Sequence, residues 1–191
     1  WIEAGNATEW NLIVSKKEIT DFDAIDPEDK TNYPIVASVS QLFDILGILL
    51  GKIVERLADT LPAYEIENLK KLLEKLTEEC NLGHTEKFYD LIFNELFKHQ
   101  EEVNNSYLIK YYKELLPSLR RSYFLTLNTS KTELQESLEL FKLVVIAIVS
   151  RNSQQAAINM QDFCRHLRDL VLESLTRMKQ IELAWARRSR R

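Results

Sequence analysis

The chain has 191 residues, 45% of them hydrophobic and 28% charged, with a net charge of −4. That length suffices for one sizeable core, and the acidic balance argues against a nucleic-acid surface spread over the whole chain. Four glycines and four prolines are too few for the turns of an all-β protein and point to long helices.

In chain order, residues 1–34 read as a connector. WIEAGNATEWNLIV holds two tryptophans and little period, and an acidic stretch leads to Asp26-Pro27 and Tyr33-Pro34, both turn or helix-start signals. No charged leader opens the chain. Trp1 rather than methionine stands first, so the reading expects a fragment, with its natural N-terminus and a further domain upstream. From residue 35 to 191 the pattern is helical almost throughout.

The first helix is expected from Ser38 to Asp59, ending near Pro62. Its run LFDILGILLGKIV contains Asp44 and Lys52 and is too short to span a bilayer. Gly47 and Gly51 lie four apart on it, for close approach of a neighbour or to leave room for an apolar ligand or a partner subunit. A second helix carries Ile66, Leu69, Leu72, Leu73 and Leu76 on one stripe and stops at Gly83. Thr85 is the expected cap of a third helix, which holds Asp90 and Asn94 one turn apart on one face. Asn104, Asn105 and Ser106 break the chain before a helix that Pro117 is expected to kink or divide.

That fourth helix ends in LRRSYF, with Arg120, Arg121 and Tyr123 within a turn of each other. An inward arginine there would need an anion such as Asp90 or a ligand acid, and the plain alternative puts both arginines on the wet face. Thr132 and Gln135 have capping-box spacing ahead of the very apolar LELFKLVVIAIV. After Asn152 and Ser153 a last helix runs from Gln154 to Trp185, followed by a basic tail read mainly as solvated. The fold class is all-α, an antiparallel bundle of six or seven helices.

Catalytic chemistry finds little support. His84, His99 and His166 are far apart, lack HxxxH or HExxH spacing, and each reads as solvent-exposed. No phosphate-cradling loop or nucleophile motif occurs in the sequence, so an enzyme is not expected. Cys80 and Cys164 read as reduced thiols of a cytoplasmic protein, a single disulfide being the other reading.

The order of pieces resembles the C-terminal effector domain of GntR-family transcription regulators, FadR subfamily, over residues 38–180. Asp90-Leu-Ile-Phe93-Asn94 stands where the family has D-x-x-F-H, and Asn104-Asn105-Ser106-Tyr107-Leu108 where it has G-N-P-x-L. Arg121-Ser-Tyr123-Phe124 resembles the R-x-Y-F of the fatty-acid-responsive type, and the opening tryptophan-containing stretch its connector. The wider family holds a metal with one Asp and three His. Here Asn94 replaces the first His, Phe141 and Phe163 stand where the others would fall, and Leu46 takes the place of a frequent arginine.

Loss of imidazoles removes the ligands a transition ion requires, so the resemblance implies a site without metal or other cofactor. Its expected occupant is a fatty acyl-CoA or another small acidic lipid-like effector, within an apolar chamber floored by Asp90 and Asn94. Arg121 and Tyr123 are their expected partners, with Leu46, Gly47, Phe141 and Phe163 at the walls. DNA binding through a winged helix-turn-helix domain upstream of Trp1, a homodimer and a cytoplasmic location, with no membrane association, are further implications. The alternatives are an α-helical protein-interaction module without a small-molecule site and a family member keeping a residual metal site.

Overall fold

The computed structural model describes residues 33–124 and 130–188, apart from a few side chains within its helices. The described residues form seven helices and no strand: α1 (Tyr33–Thr60), α2 (Ala63–Leu82), α3 (Thr85–Lys98), α4 (Gln100–Val103), α5 (Ser106–Phe124), α6 (Lys131–Val149) and α7 (Ser153–Arg188). None of them is long and apolar enough to cross a membrane. The described residues from Val39 onward make one compact unit. The connector expected over residues 1–34, apart from the backbone of Tyr33 and Pro34, lies outside the described residues.

Helix boundaries follow local chemistry, with departures from expectation. The first helix starts at Tyr33 rather than Ser38, because Pro34 sits in the first turn, where its missing N–H costs nothing. α3 begins at Thr85 itself, which is buried rather than capping; His84 precedes it with no side-chain cap. α5 continues as one helix through Pro117 rather than dividing into two pieces there. The capping box belongs to Ser130 and Glu133, not Thr132 and Gln135: Ser130 Oγ accepts from the Glu133 N–H at 3.2 Å, and Glu133 Oε2 from the Ser130 N–H at 2.6 Å. Gly83 does end α2, at φ 74°, with its own N–H donating to Cys80 O and the His84 N–H to Glu79 O.

The antiparallel pair α6 and α7, joined by the tight turn at Ser150–Asn152, forms the spine. α2 packs on α6 and on α3, α3 on α5, and α5 on α7. α1 meets α7 at its glycines. A Cβ on Gly51 would lie 3.3 Å from the Ala157 carbonyl oxygen, whereas one on Gly47 would lie 3.7 Å from Cys164 Cβ. Gly51 is therefore where the two backbones come close, and Gly47 has ordinary van der Waals room. Gly51→Val should destabilise the fold by about 1–3 kcal/mol through overpacking. Gly47→Ala should stabilise it by up to about 1 kcal/mol through helix propensity. Urea unfolding of both variants checks the contrast.

Two arginines tie helix ends together. Arg151, at φ 60° in the α6–α7 turn, donates to Ala58 O at 2.9 Å and Leu61 O at 2.5 Å, carbonyls that α1 leaves unpaired as it ends. Arg56 donates to Val103 O at 3.0 Å and Asn104 O at 3.2 Å, closing α4.

Candidate functional site

α3 carries the residues that drew notice in sequence, and α5 lies across it. Asp90 is half-buried, with 39% of its side chain exposed, and Asn94 is fully on the surface. Tyr123, buried to 2%, donates its hydroxyl hydrogen to Asp90 Oδ1. Arg120 sits above both: its Nη2 donates to Asn94 Oδ1 at 2.8 Å, and its Nε lies 3.6 Å from Asp90 Oδ1. Burial first, and then the hydrogen bond to the Asp90 carboxylate, push the Tyr123 phenol well above its usual pKa. The cluster is a clamp between α3 and α5 at the rim of the core.

Arg121 is not part of it. Its guanidinium is exposed and donates to Ser118 Oγ at 3.0 Å. The sequence offers both Arg120 and Arg121 as partners of Asp90, and the signal for choosing Arg120 over Arg121 is in the spacing. Positions 120 and 123 are three apart and share a face, while 121 and 123 do not. Tyr123→Phe should cost about 1 kcal/mol, the net value of one hydrogen bond whose acceptor can turn to water; thermal unfolding would read it.

Below the clamp the centre is filled with aromatic rings. Tyr89, Phe93, Tyr112, Tyr123, Phe141 and Phe163 are each exposed by 2% or less. The Phe93 and Tyr123 rings stack at 5.7 Å and 18°, Tyr89 lies 5.5 Å from Tyr123, and Phe163 stands 6.4 Å from Phe93 and 5.6 Å from Phe141. Leu46 is fully buried, and Gly47 faces α7 rather than an open space. An enclosed apolar hollow between α1, α2, α3 and α6 measures about 10 Å³. Among the described residues, no open chamber is seen above Asp90 and Asn94. Those two lie at the edge of a packed layer, because three aromatic rings from α3, α6 and α7 occupy the volume that smaller side chains would leave.

Polar groups inside the layer are paired. Tyr112 donates to the Phe93 carbonyl at 2.8 Å. Ser137, fully buried, lies 3.0 Å from the Tyr89 hydroxyl, 2.9 Å from His166 Nε2 and 3.1 Å from the Glu133 carbonyl. A serine has one hydrogen to give. Directed at Glu133 O, it leaves Tyr89 and His166 as donors to Ser137 Oγ; directed at His166 Nε2, it leaves Tyr89 as the donor. Burial raises the Tyr89 phenol pKa strongly, keeping it a donor. His166 is thus a half-buried structural partner, contrary to the exposed position expected for it.

His99 is also buried, with its Nε2 3.5 Å from Glu95 Oε1 in the wall of the small hollow. That distance makes a charge pair rather than a good hydrogen bond. The Glu95 carboxylate raises the His99 pKa against the opposing effect of burial, and His99 and Lys98 hold Glu95 below its usual range. The His99 contribution to stability is complete below the ordinary imidazole value of 6.5 and is lost as pH rises through the raised folded value. The Glu95 contribution is present above 4.5 and lost as pH falls through its lowered value. The pair should therefore stabilise most between those two values. His99→Gln should flatten the decline in Tm above pH 6.5, measured by melting across the pH range.

His84, by contrast, is exposed and lies 2.6 Å from Glu79. Cys80 and Cys164 are both free and buried; burial pushes the Cys164 thiol up to about 12 and raises Cys80 as well, leaving neither reactive. Asp90, Asn94, Phe141 and Phe163 do not make a donor set that suits a transition ion. Asp90 is already engaged by Tyr123 and Arg120, its neighbour is an amide, and Phe141 and Phe163 are hydrocarbon. Among the described residues no three His, Cys, Asp or Glu side chains gather in metal-binding geometry. Comparisons with protein-family models, curated proteins and solved structures return no match.

Proposed function

We propose that the chain is the effector domain of a GntR/FadR-type transcription regulator that works without a metal ion, and that its effector is a fatty acyl thioester or fatty acid. One observation carries this reading. The two motifs on which the resemblance rests, thirty residues apart in sequence, meet in space: Asp90 and Phe93 of one touch Tyr123 of the other. The all-helical bundle supports it too.

The effector in this reading enters by parting the aromatic layer. Its acid or thioester end takes up a guanidinium at the rim, Arg120 or Arg121, both exposed. Its tail replaces ring contacts beneath. Each buried methylene contributes about 0.8 kcal/mol, so a sixteen-carbon chain supplies roughly 11 kcal/mol in gross terms to set against opening the layer. Movement of α3 against α5 then selects between two arrangements of a homodimer. A winged helix-turn-helix domain, which the resemblance implies, reports the choice to DNA in the cytoplasm. The ligand acts only through its different affinity for the two arrangements.

Native mass spectrometry of the purified protein tests this reading. A co-purifying or added hexadecanoyl-CoA or hexadecanoate bound once per chain, with a raised Tm, is the expected result. Stoichiometric zinc or nickel by elemental analysis would contradict the metal-free assignment. The filled centre favours a second reading, a helical interaction module with no small-molecule site. An empty bundle whose Tm ignores both lipids would establish it instead.

A further inference from the structure

The outward stripe of α1 carries exposed apolar side chains that the core does not use. Ile45 and Ile48 are 54% and 66% exposed. They border an open groove of about 350 Å³ whose floor and far wall come from Leu49, Gly51, Leu108, Ala157 and Gln161. The rim is charged at both ends, with Asp44 67% exposed on the N-terminal side and Lys52 49% exposed on the C-terminal side.

The order of these charges selects the occupant. Asp44 and Lys52 lie equally far from Ile48, four residues before it and four after. Two copies of α1 crossing antiparallel about a two-fold axis at Ile48 put Asp44 of each level with Lys52 of the other. Both charge pairs are then attractive, and Ile48 meets Ile48. A parallel arrangement would set like charges side by side, which is destabilising. Within one chain Lys52 pairs with Glu55 at 2.6 Å and Asp44 with Arg168 at 3.8 Å. Both are surface pairs of small energetic weight, so the side chains are free to serve a partner.

We infer that the Gln41–Glu55 face of α1 is the contact between two copies of this chain, antiparallel, with the isologous axis at Ile48. This deepens the homodimer of the proposed function by assigning its surface and register. It rests on that dimer and not on any ligand, so mass spectrometry of the lipid and the oligomer measurement fail separately.

Light scattering on a sizing column, over a micromolar concentration series of the whole chain, tests it. The protein is expected to dimerise, and Ile48→Asp to shift it to monomer with unchanged helical circular dichroism. Asp44→Lys or Lys52→Asp alone should weaken the dimer by about tenfold, and the two together should restore it. Ile48→Cys should form an interchain disulfide on mild oxidation, with no competition from Cys80 and Cys164, both buried to 2%. A protein that stays monomeric throughout overturns the inference. So does a dimer indifferent to Ile48→Asp, and so does a double charge reversal that fails to rescue the single ones.

Discussion

Replacing Phe163 with alanine should lower the unfolding free energy by about 3–5 kcal/mol, the cost of a phenyl-sized void in a packed core. Phe163 is fully buried on α7 and joins Phe93 of α3 to Phe141 of α6, so no one helix can close the gap by itself. Phe163→Leu keeps most of the volume and should cost less than half as much. Urea unfolding of the three proteins gives the comparison, and an unchanged urea m-value would show that the loss lies in the folded state. The same substitution bears on function. A void in the aromatic layer removes part of the work of opening it, so Phe163→Ala should bind hexadecanoate more tightly than the parent if the tail lodges there.

Arg151→Ala should cost about 2–3 kcal/mol, and Arg151→Lys should recover little of it. The guanidinium donates to two separate carbonyls at the end of α1, Ala58 O and Leu61 O. Hydrogen bonds from a charged donor contribute about 1.5–3 kcal/mol each, and their loss leaves two partly buried acceptors facing a gap. A lysine is a point charge on a flexible stem and lacks the planar fork that spans both acceptors. Residue 151 also holds a left-handed backbone, at φ 60°, which glycine adopts without strain. Arg151→Gly should therefore be less harmful than Arg151→Ala although it removes the same hydrogen bonds. Thermal melts of the four proteins would order them.

Much of the fold was legible because helical signals are local. The Leu69, Leu72, Leu76 stripe, Gly83 at the end of α2 and the Asn104–Ser106 break act within a few residues of themselves. Caps were read less well. Ser130 and Thr132 each have an acceptor three residues on, and choosing between them needs the backbone dihedrals of the turn. The candidate cluster was half legible. Asp90 and Asn94 share a face by their spacing, and the same rule applied to α5 selects Arg120 with Tyr123. Following the motif instead led to Arg121, which faces water. Buried His99 and half-buried His166 were out of reach, since their partners Glu95 and Ser137 reveal themselves only when helices are packed. Whether aromatic residues line a hollow or fill it is likewise a property of three helices at once.

The proposed function requires that the aromatic layer built from α3, α5, α6 and α7 opens to admit an acyl tail. Amide hydrogen exchange with and without hexadecanoyl-CoA tests it most directly, because it localises the response. The account predicts that exchange changes together in Phe88–Leu96 and Leu119–Tyr123 while Leu69–Cys80 of α2 stays as it was. Identical exchange in all three segments at saturating lipid would contradict it.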